Sequence, residues 1–223
     1  MAYQFDFSPV LDSWDTLAAG LWLSIRLAAI AMALGTAAAI TLAVGKLSGV
    51  RWLRLAIDAY IELIRNTPLL VQVFFVFFGL PALGIRFTPD TAATIALTVN
   101  AAAYATEIIR AGIESVGRGQ IEAGLAVGLH RLQVFRHVVL VPALRAVFPA
   151  LTSQFNVVLL STSIVSAISA NELTHEAEYI NSLTYRSFEV YITVGVIYFV
   201  TSWLFSLLFA TIHRTIFAYP DAH

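Results

Sequence analysis

Polar side chains recur inside otherwise apolar stretches of this sequence, and their types suit the binding of a small zwitterion better than covalent chemistry. Asn100, Tyr104 and Glu107 follow one another at intervals that place them on one face of a helix. A later apolar stretch adds amides and hydroxyls, at Gln154, Asn156, Ser161, Thr162 and Ser163. Such groups can accept hydrogen bonds from an ammonium and donate them to a carboxylate. The competing interpretation is that they join helices, with Glu107 a structural charge that pairs with Arg110 or Arg65.

A second region that could carry function is the polar loop at about 113–137, which separates two apolar stretches. Residues 120–129 favour a short helix, Gly128 then turns the chain, and a second short helix follows. The apolar stripe of the first helix falls at Ile121, Leu125 and Leu129. The pattern predicts a compact knob that enters a groove on a soluble partner. The alternative is an amphipathic helix that lies on the membrane surface.

The sequence contains no arrangement that predicts catalysis, a metal centre or nucleic-acid binding. It has no cysteine, and its 5 histidines lack the spacing of a metal site. It has no Gly-x-x-x-x-Gly-Lys-Ser/Thr loop for nucleotide phosphates and no nucleophile placed beside a base. The net charge is −1, without a basic tail. We therefore expect no catalytic residue, no metal, no cofactor bound by this chain and no nucleic-acid partner.

The elements that position these residues are predicted to be membrane-spanning helices. Hydrophobic residues make up 59% of the 223-residue chain and charged residues only 12%, against about 25% charged in soluble domains. Five apolar stretches are long enough to cross a lipid bilayer, at about 16–45, 67–85, 91–111, 144–170 and 190–213. These stretches are too long and too uniform for the strands of a membrane barrel. We therefore predict one all-α membrane domain over residues 1–223.

The basic residues predict how these helices are oriented. Ten of the 13 Lys and Arg residues fall in the first link, the third link and the tail, at Lys46, Arg51, Arg54, Arg65, Arg110, Arg118, Arg131, Arg136, Arg145 and Arg214. Because basic links stay in the cytoplasm, the N-terminus is predicted outside and the C-terminus inside. Residues 1–14 lack the basic start of a cleaved signal peptide, so the first stretch is expected to remain as a span.

The polar loop and its flanks carry several motifs. The loop contains Glu122-Ala123-Gly124 and Gly128, followed by Val138-Val139-Leu140 and Pro142. The flanks contribute Glu62 to Gln72, Ala103 to Ser115, Gly119-Gln120 and Asn181 to Tyr191. Together these motifs resemble the permease subunits of bacterial ABC importers, in the polar amino acid uptake family, over about residues 20–210. The family usually has Ala at position 124 and Pro at position 141. Many members carry a Lys-acid pair at positions 160 and 161, which here are Leu and Ser, so the charge of the substrate stays open.

The resemblance implies a type I importer-like fold, with five membrane helices and a cytoplasmic coupling helix between the third and fourth. It implies a second permease subunit, identical or paralogous, a separate ATPase subunit that binds ATP and Mg, and a periplasmic binding protein. These partners would move a polar amino acid across the bacterial inner membrane by alternating access. The implied ATPase-coupling residues are Glu122, Ala123, Gly124, Gly128, Leu129 and Arg131. The polar side chains of the third and fourth spans supply the candidate residues of the substrate pathway, which are Asn100, Tyr104, Gln154, Ser161 and Thr162.

Two other classes of function are weighed against this one: a stand-alone secondary carrier, and a membrane scaffold for a soluble enzyme without ATP coupling. Five spans are few for a carrier, inverted halves are not evident, and Glu107 is the one acid available inside a span. The acidic stretch 172–188 is interpreted either as an outer gate helix that receives the binding protein or as an ordinary solvated loop.

Overall fold

The computed structural model describes residues 3–217, which fold as helices without a β-strand in that part of the chain. The α-helices are α1 Ser8–Asp12, α2 Trp14–Leu47, α3 Arg51–Arg65, α4 Leu69–Phe74, α5 Pro89–Glu114, α6 Arg118–Ala126, α7 Arg131–Val134, α8 Leu140–Ser161, α9 Leu173–Thr184 and α10 Ser187–Phe217. Shorter π and 3-10 turns continue α4 to Leu83, join α7 to α8, and extend α8 to Ile168. The predicted all-α membrane fold is confirmed.

Four helical segments are long and apolar enough to cross a membrane: Trp14–Leu47, Pro89–Glu114, Arg131–Ile168 and Ser187–Ile216. A fifth crossing requires α3 and the Leu69–Leu83 segment to count together, and these two are bent by 105°. The sequence placed this second span at about 67–85 and treated residues 46–66 as a link. That interpretation missed α3.

The missed helix has a physical explanation. Leu53, Ile57, Ile61 and Ile64 recur at helical spacing, and Ile57 and Ile61 are buried. The opposite side of the helix carries charged residues, so the average hydropathy of this segment is too low for a membrane span. Pro68 takes an extended conformation and ends the helix, which produces the bend before α4 begins.

The centre of the fold is a tight pair of long helices, α2 and α5, whose shared face is rich in alanine. Ala28, Ala31, Ala93, Ala96 and Ala101 are all buried in one core cluster. Small side chains let helix backbones approach closely in a membrane, where packing rather than the hydrophobic effect joins helices. Helix α8 closes this core from a third side and contributes Phe155, Val158 and Leu159.

The bundle has two chemically different ends. At the end called here the loop end, the last turns of α2 and α5 meet α3, the α6–α7 loop and the start of α8. At the opposite end, called here the α9 end, α9 packs against α2 and α10. The stretch 172–188 is therefore not an ordinary solvated loop, since Leu173, Ala177 and Ile180 of α9 are buried.

Candidate functional site

The polar loop encloses a small hydrophobic core of its own. Four residues are buried there, Val116, Val134, Val139 and Ala143, and four more pack against them, Ile113, Ile121, Leu129 and Val138. Ile113 belongs to α5 and Ala143 to α8. Because the core includes residues of both long helices, a force on the loop acts directly on them.

Gly128 makes the turn between α6 and α7. Its φ angle is +88°, in the left-handed region that a side chain disfavours. The N–H of Gly128 donates to the carbonyl of Leu125 at 3.0 Å, and the N–H of Leu129 donates to the carbonyl of Gly124 at 3.2 Å. This pair of bonds is the Schellman end of a helix. The predicted break at Gly128 is confirmed, and its cause is backbone geometry.

The loop presents an uncovered surface that mixes apolar and charged groups. Leu125, Val127 and Leu132 are 44%, 78% and 76% exposed. Glu122 and Ala123 are exposed beside them. Within residues 3–217 the carboxylate of Glu122 has neither a hydrogen bond nor an ion pair, and neither does the guanidinium of Arg131. Exposed apolar groups beside unpaired charges mark a surface that is free to contact another molecule.

Two details of the predicted loop are corrected by this geometry. The predicted apolar stripe includes Leu125, so Leu125 is expected to point inward. It points outward, and Gly124 takes the buried position instead. A Cβ atom at Gly124 would lie 3.2 Å from a methyl of Val134. The absence of a side chain therefore lets α6 pack against α7, and Gly124 does not form part of the exposed surface.

A network of ion pairs joins three helices at the base of this loop. Lys46 of α2 lies 2.6 Å from Asp58 of α3 and 2.6 Å from Glu107 of α5. Arg110 contacts the same Glu107 at 2.8 Å and also pairs with Glu114. Glu107 thus pairs with Arg110 as expected, but its second partner is Lys46 rather than Arg65. No pattern in the sequence indicates that Lys46 and Asp58 pair, because the two residues fall in a segment that is predicted to be a link.

The bend between α3 and α4 is attached to the middle of α5. The side-chain amide of Gln72 donates to the carbonyls of Ile64 and Thr67, at 2.8 and 3.1 Å. Its oxygen accepts from the side chain of Asn100 at 3.1 Å. One turn further along α5, Tyr104 lies under the guanidinium of Arg65. Asn100 and Tyr104 are thus brought together beside the bend, as their spacing predicted.

The polar residues of α8 do not all belong to the group formed by Asn100 and Tyr104. Gln154 is buried, and Ser161 is partly exposed. The hydroxyl of Thr162 is fully buried and donates to the carbonyl of Leu159, as a residue with a packing role would do. Asn156, by contrast, donates to Ser206 of α10 at 2.8 Å, which fits its interpretation as a link between helices.

The α9 end contains a buried carboxylate that sequence reasoning did not single out. Glu172 is fully buried at the start of α9. It accepts hydrogen bonds from the hydroxyls of Tyr198 and Ser24, at 2.7 and 3.3 Å, and from the N–H of His175 at 2.9 Å. Burial raises the pKa of this carboxyl above its usual value, although the bond from Tyr198 and the backbone bonds oppose the shift. No cation pairs with Glu172 within the described residues.

These features define a membrane permease subunit, and comparison with known proteins agrees. Residues 31–217 match the family described as "Binding-protein-dependent transport system inner membrane component". The chain belongs to this family. It is an ABC importer permease of the polar amino acid group, as its motifs indicated.

Individual relatives lie within the same group. The chain is 36% identical to the octopine permease OccM of Rhizobium radiobacter, covering 92% of this chain and 87% of that protein. It is 36% identical to the L-cystine permease TcyB of Bacillus subtilis, with 92% and 88% covered. It is 33% identical to the glutamine permease GlnP of Escherichia coli, with 95% and 97% covered.

Solved structures show the same fold. A chain of an amino acid ABC transporter crystallised with histidines superposes with a TM-score of 0.91 at 36% identity, covering 96% of this chain and all of that one. A chain of the inward-facing MetNI methionine transporter gives a TM-score of 0.76 at 20% identity, with 92% and 97% covered. The second likeness concerns the fold alone.

Proposed function

We propose that this chain moves a polar amino acid into the cell by alternating access, with the 113–137 loop seated on a separate ATPase subunit. The observation that carries the proposal is the exposed apolar surface of the loop, at Leu125, Val127 and Leu132, above a core shared with α5 and α8. A partner bound there can shift both helices. A ligand or partner changes a conformational equilibrium only through different affinities for the two states, and ATP on the partner supplies that difference.

The proposed assembly follows from the same arrangement. A second permease subunit, identical or paralogous, completes the pathway, and a periplasmic binding protein delivers the substrate at the α9 end. In this proposal the loop end faces the cytoplasm of a bacterial cell, with the N-terminus in the periplasm. Helix α9 then serves as the outer gate. The pathway follows the face of α5 that carries Asn100 and Tyr104, and Gln154 and Ser161 of α8 extend it.

The sidedness can be tested with single cysteines, because the native chain has none. Ala123→Cys places a thiol on the exposed loop, and Ser182→Cys places one on an exposed position of α9. A membrane-impermeant maleimide should label Ser182→Cys in intact spheroplasts and Ala123→Cys only in inverted vesicles. The reverse pattern would refute the proposed orientation.

The same variants test the partner. Ala123→Cys should cross-link to an ATPase subunit co-expressed from the neighbouring genes when a short bifunctional thiol reagent is added, provided that the ATPase has a cysteine placed along its docking cleft. Ser182→Cys is the matched control and should give no such product. Failure of the chain to co-purify with any ATPase would refute ATP coupling and favour a stand-alone carrier.

Gly128 tests transmission through the loop. Gly128→Val forces a β-branched residue into a left-handed conformation, at a cost of about 1–2 kcal/mol, and should distort the turn. ATPase activity of the reconstituted complex should then lose most of its stimulation by substrate and binding protein. Gly128→Asn is the matched control, because asparagine tolerates this conformation, and it should keep the stimulation. Equal stimulation in the two variants would contradict the role of the turn.

A further inference from the structure

A charged side chain lies beside the α3–α4 bend, against the membrane-spanning helix α5. The guanidinium carbon of Arg65 lies 5.2 Å from the centroid of the Tyr104 ring. Tyr104 lies about one turn of α5 before Glu107, in a helix that is long and apolar enough to cross a membrane. Arg65 nevertheless remains exposed in the single chain. Because a charge that faces lipid is costly, we expect the exposed guanidinium of Arg65 to face a polar pathway or a protein partner.

The neighbouring charges differ from Arg65 in that they are already paired. Glu107 is held by Lys46 and Arg110 at 2.6 and 2.8 Å, and Arg110 is shared with Glu114. Arg65 forms no ion pair with any residue between 3 and 217, and its ring contact with Tyr104 supplies no negative charge. The cation over Tyr104 is therefore available to a group that residues 3–217 do not provide.

The space in front of Arg65 suits a small anionic group. A cleft of about 480 Å³ opens between α5 and α8, lined by Arg65, Tyr104, Glu107 and Arg110 together with Ala146 and Ala150 of α8. The two alanines leave room where longer side chains would fill the space. A guanidinium held over an aromatic ring keeps its N–H groups available, and these match the two oxygens of a carboxylate.

We propose that Arg65, held over Tyr104, binds the α-carboxylate of the transported amino acid on the loop side of the pathway. The α-carboxylate is common to amino acids with any side chain, so this contact admits a class of substrates and leaves selection within the class to other groups. The inference rests on the proposed function. It adds a group that the polar residues of α5 and α8 do not supply, namely a positive charge.

Uptake into proteoliposomes that contain the chain, its ATPase and its binding protein tests this inference. Radiolabelled L-glutamine, L-cystine and L-arginine serve as probes, with ATP inside. With ATP inside, the loop end of the active complexes faces the vesicle lumen. Unlabelled amino acid loaded into the lumen should therefore bind from the loop side and slow uptake by the wild type. The carboxamide of the same amino acid, which lacks the carboxylate, should not slow it. Arg65→Gln should raise the luminal inhibition constant at least tenfold, and Arg65→Lys should raise it less. Arg54→Gln changes an exposed arginine of the same helix and should leave it unchanged.

Variants of Tyr104 distinguish the loss of the proposed contact from a simple failure of Arg65→Gln to fold. Tyr104→Phe keeps an aromatic ring under Arg65 and should raise the inhibition constant less than Tyr104→Leu, which should resemble Arg65→Gln. The inference is overturned if Arg65→Gln and Tyr104→Leu keep the wild-type inhibition constant, or if luminal amino acid and carboxamide act alike on the wild type. If the wild type assembles but imports no probe with ATP, the proposed function fails, and the inference fails with it. If the wild type imports the probes with ATP but these variants keep the wild-type luminal inhibition constant, the inference alone fails and the proposed function stands.

Discussion

The two ends of the helix bundle differ in how their carboxylates are buried and partnered. At the α9 end, Glu172 and Glu189 are both fully buried. Glu172 is satisfied by hydroxyl and backbone donors, and Glu189 by the Tyr3 hydroxyl, the N–H of Asp6 and Arg186. At the loop end, Lys46, Asp58 and Glu107 form ion pairs and are 12%, 32% and 20% exposed.

The difference has a consequence for motion. A buried acceptor with several donors is costly to disturb, because each donor left without a partner loses its hydrogen bond in a low dielectric. Partly exposed ion pairs are easier to rearrange, since water and ions can replace either partner. The contacts thus fix α9 firmly to α2 and α10, while α3 and the ends of α2 and α5 are joined by contacts that can exchange. Ion pairs that can exchange suit the loop end, which in the proposed function docks on a moving ATPase subunit.

The largest expected effect comes from removing the buried carboxylate. Glu172→Ala leaves the donors of Tyr198, Ser24 and His175 without their acceptor and should destabilise the protein by about 3–5 kcal/mol. The melting temperature of the detergent-purified chain should fall by roughly 6–20 °C. Glu178→Ala, an exposed acid on the same helix, is the control and should change it little. Equal melting temperatures for the two variants would refute the comparison.

The loop end should respond less strongly and should depend on salt. Lys46→Met leaves Asp58 and Glu107 without their shared cation, with a cost of about 2 kcal/mol for a partly buried pair. Arg54→Gln removes only a 3.6 Å contact of a side chain that is 66% exposed, and should cost no more than about 0.5 kcal/mol. The deficit of Lys46→Met relative to wild type should shrink as sodium chloride is raised, because salt screens the lost pairs. A deficit that does not change with salt would show that packing of the Lys46 stem dominates.

The smallest expected effect is a dependence of stability on pH. Burial raises the pKa of Glu172 in the folded chain above its unfolded value near 4.5. At a pH between these two pKa values, the folded state binds the proton more firmly than the unfolded state does. This contribution to stability is present below pH 4.5 and is lost as the pH rises through the folded pKa. Melting temperatures across this window should therefore fall more in the wild type than in Glu172→Gln, which cannot titrate. Parallel curves for the two proteins would contradict a raised pKa.

Much of the candidate site could be predicted from the sequence, because its residues are close along the chain. The break at Gly128 and the shared face of Asn100 and Tyr104 depend on local backbone geometry and helical spacing. The direction of Leu125 could not be predicted in the same way. Leu125 and Gly124 are adjacent, and only the packing of α6 against Val134 decides which of them turns inward.

The sequence by itself determined the class of the molecule, since long apolar stretches admit only helices in a membrane and the loop motif identifies the family. The tertiary structure alone decided how sharply α3 is bent against α4, that Lys46 reaches Glu107 across 61 positions, and that Arg65 lies over Tyr104. These contacts join residues far apart in the chain. Their geometry depends on how whole helices pack, and a pattern of hydrophobicity within one helix carries no information about its distant neighbours.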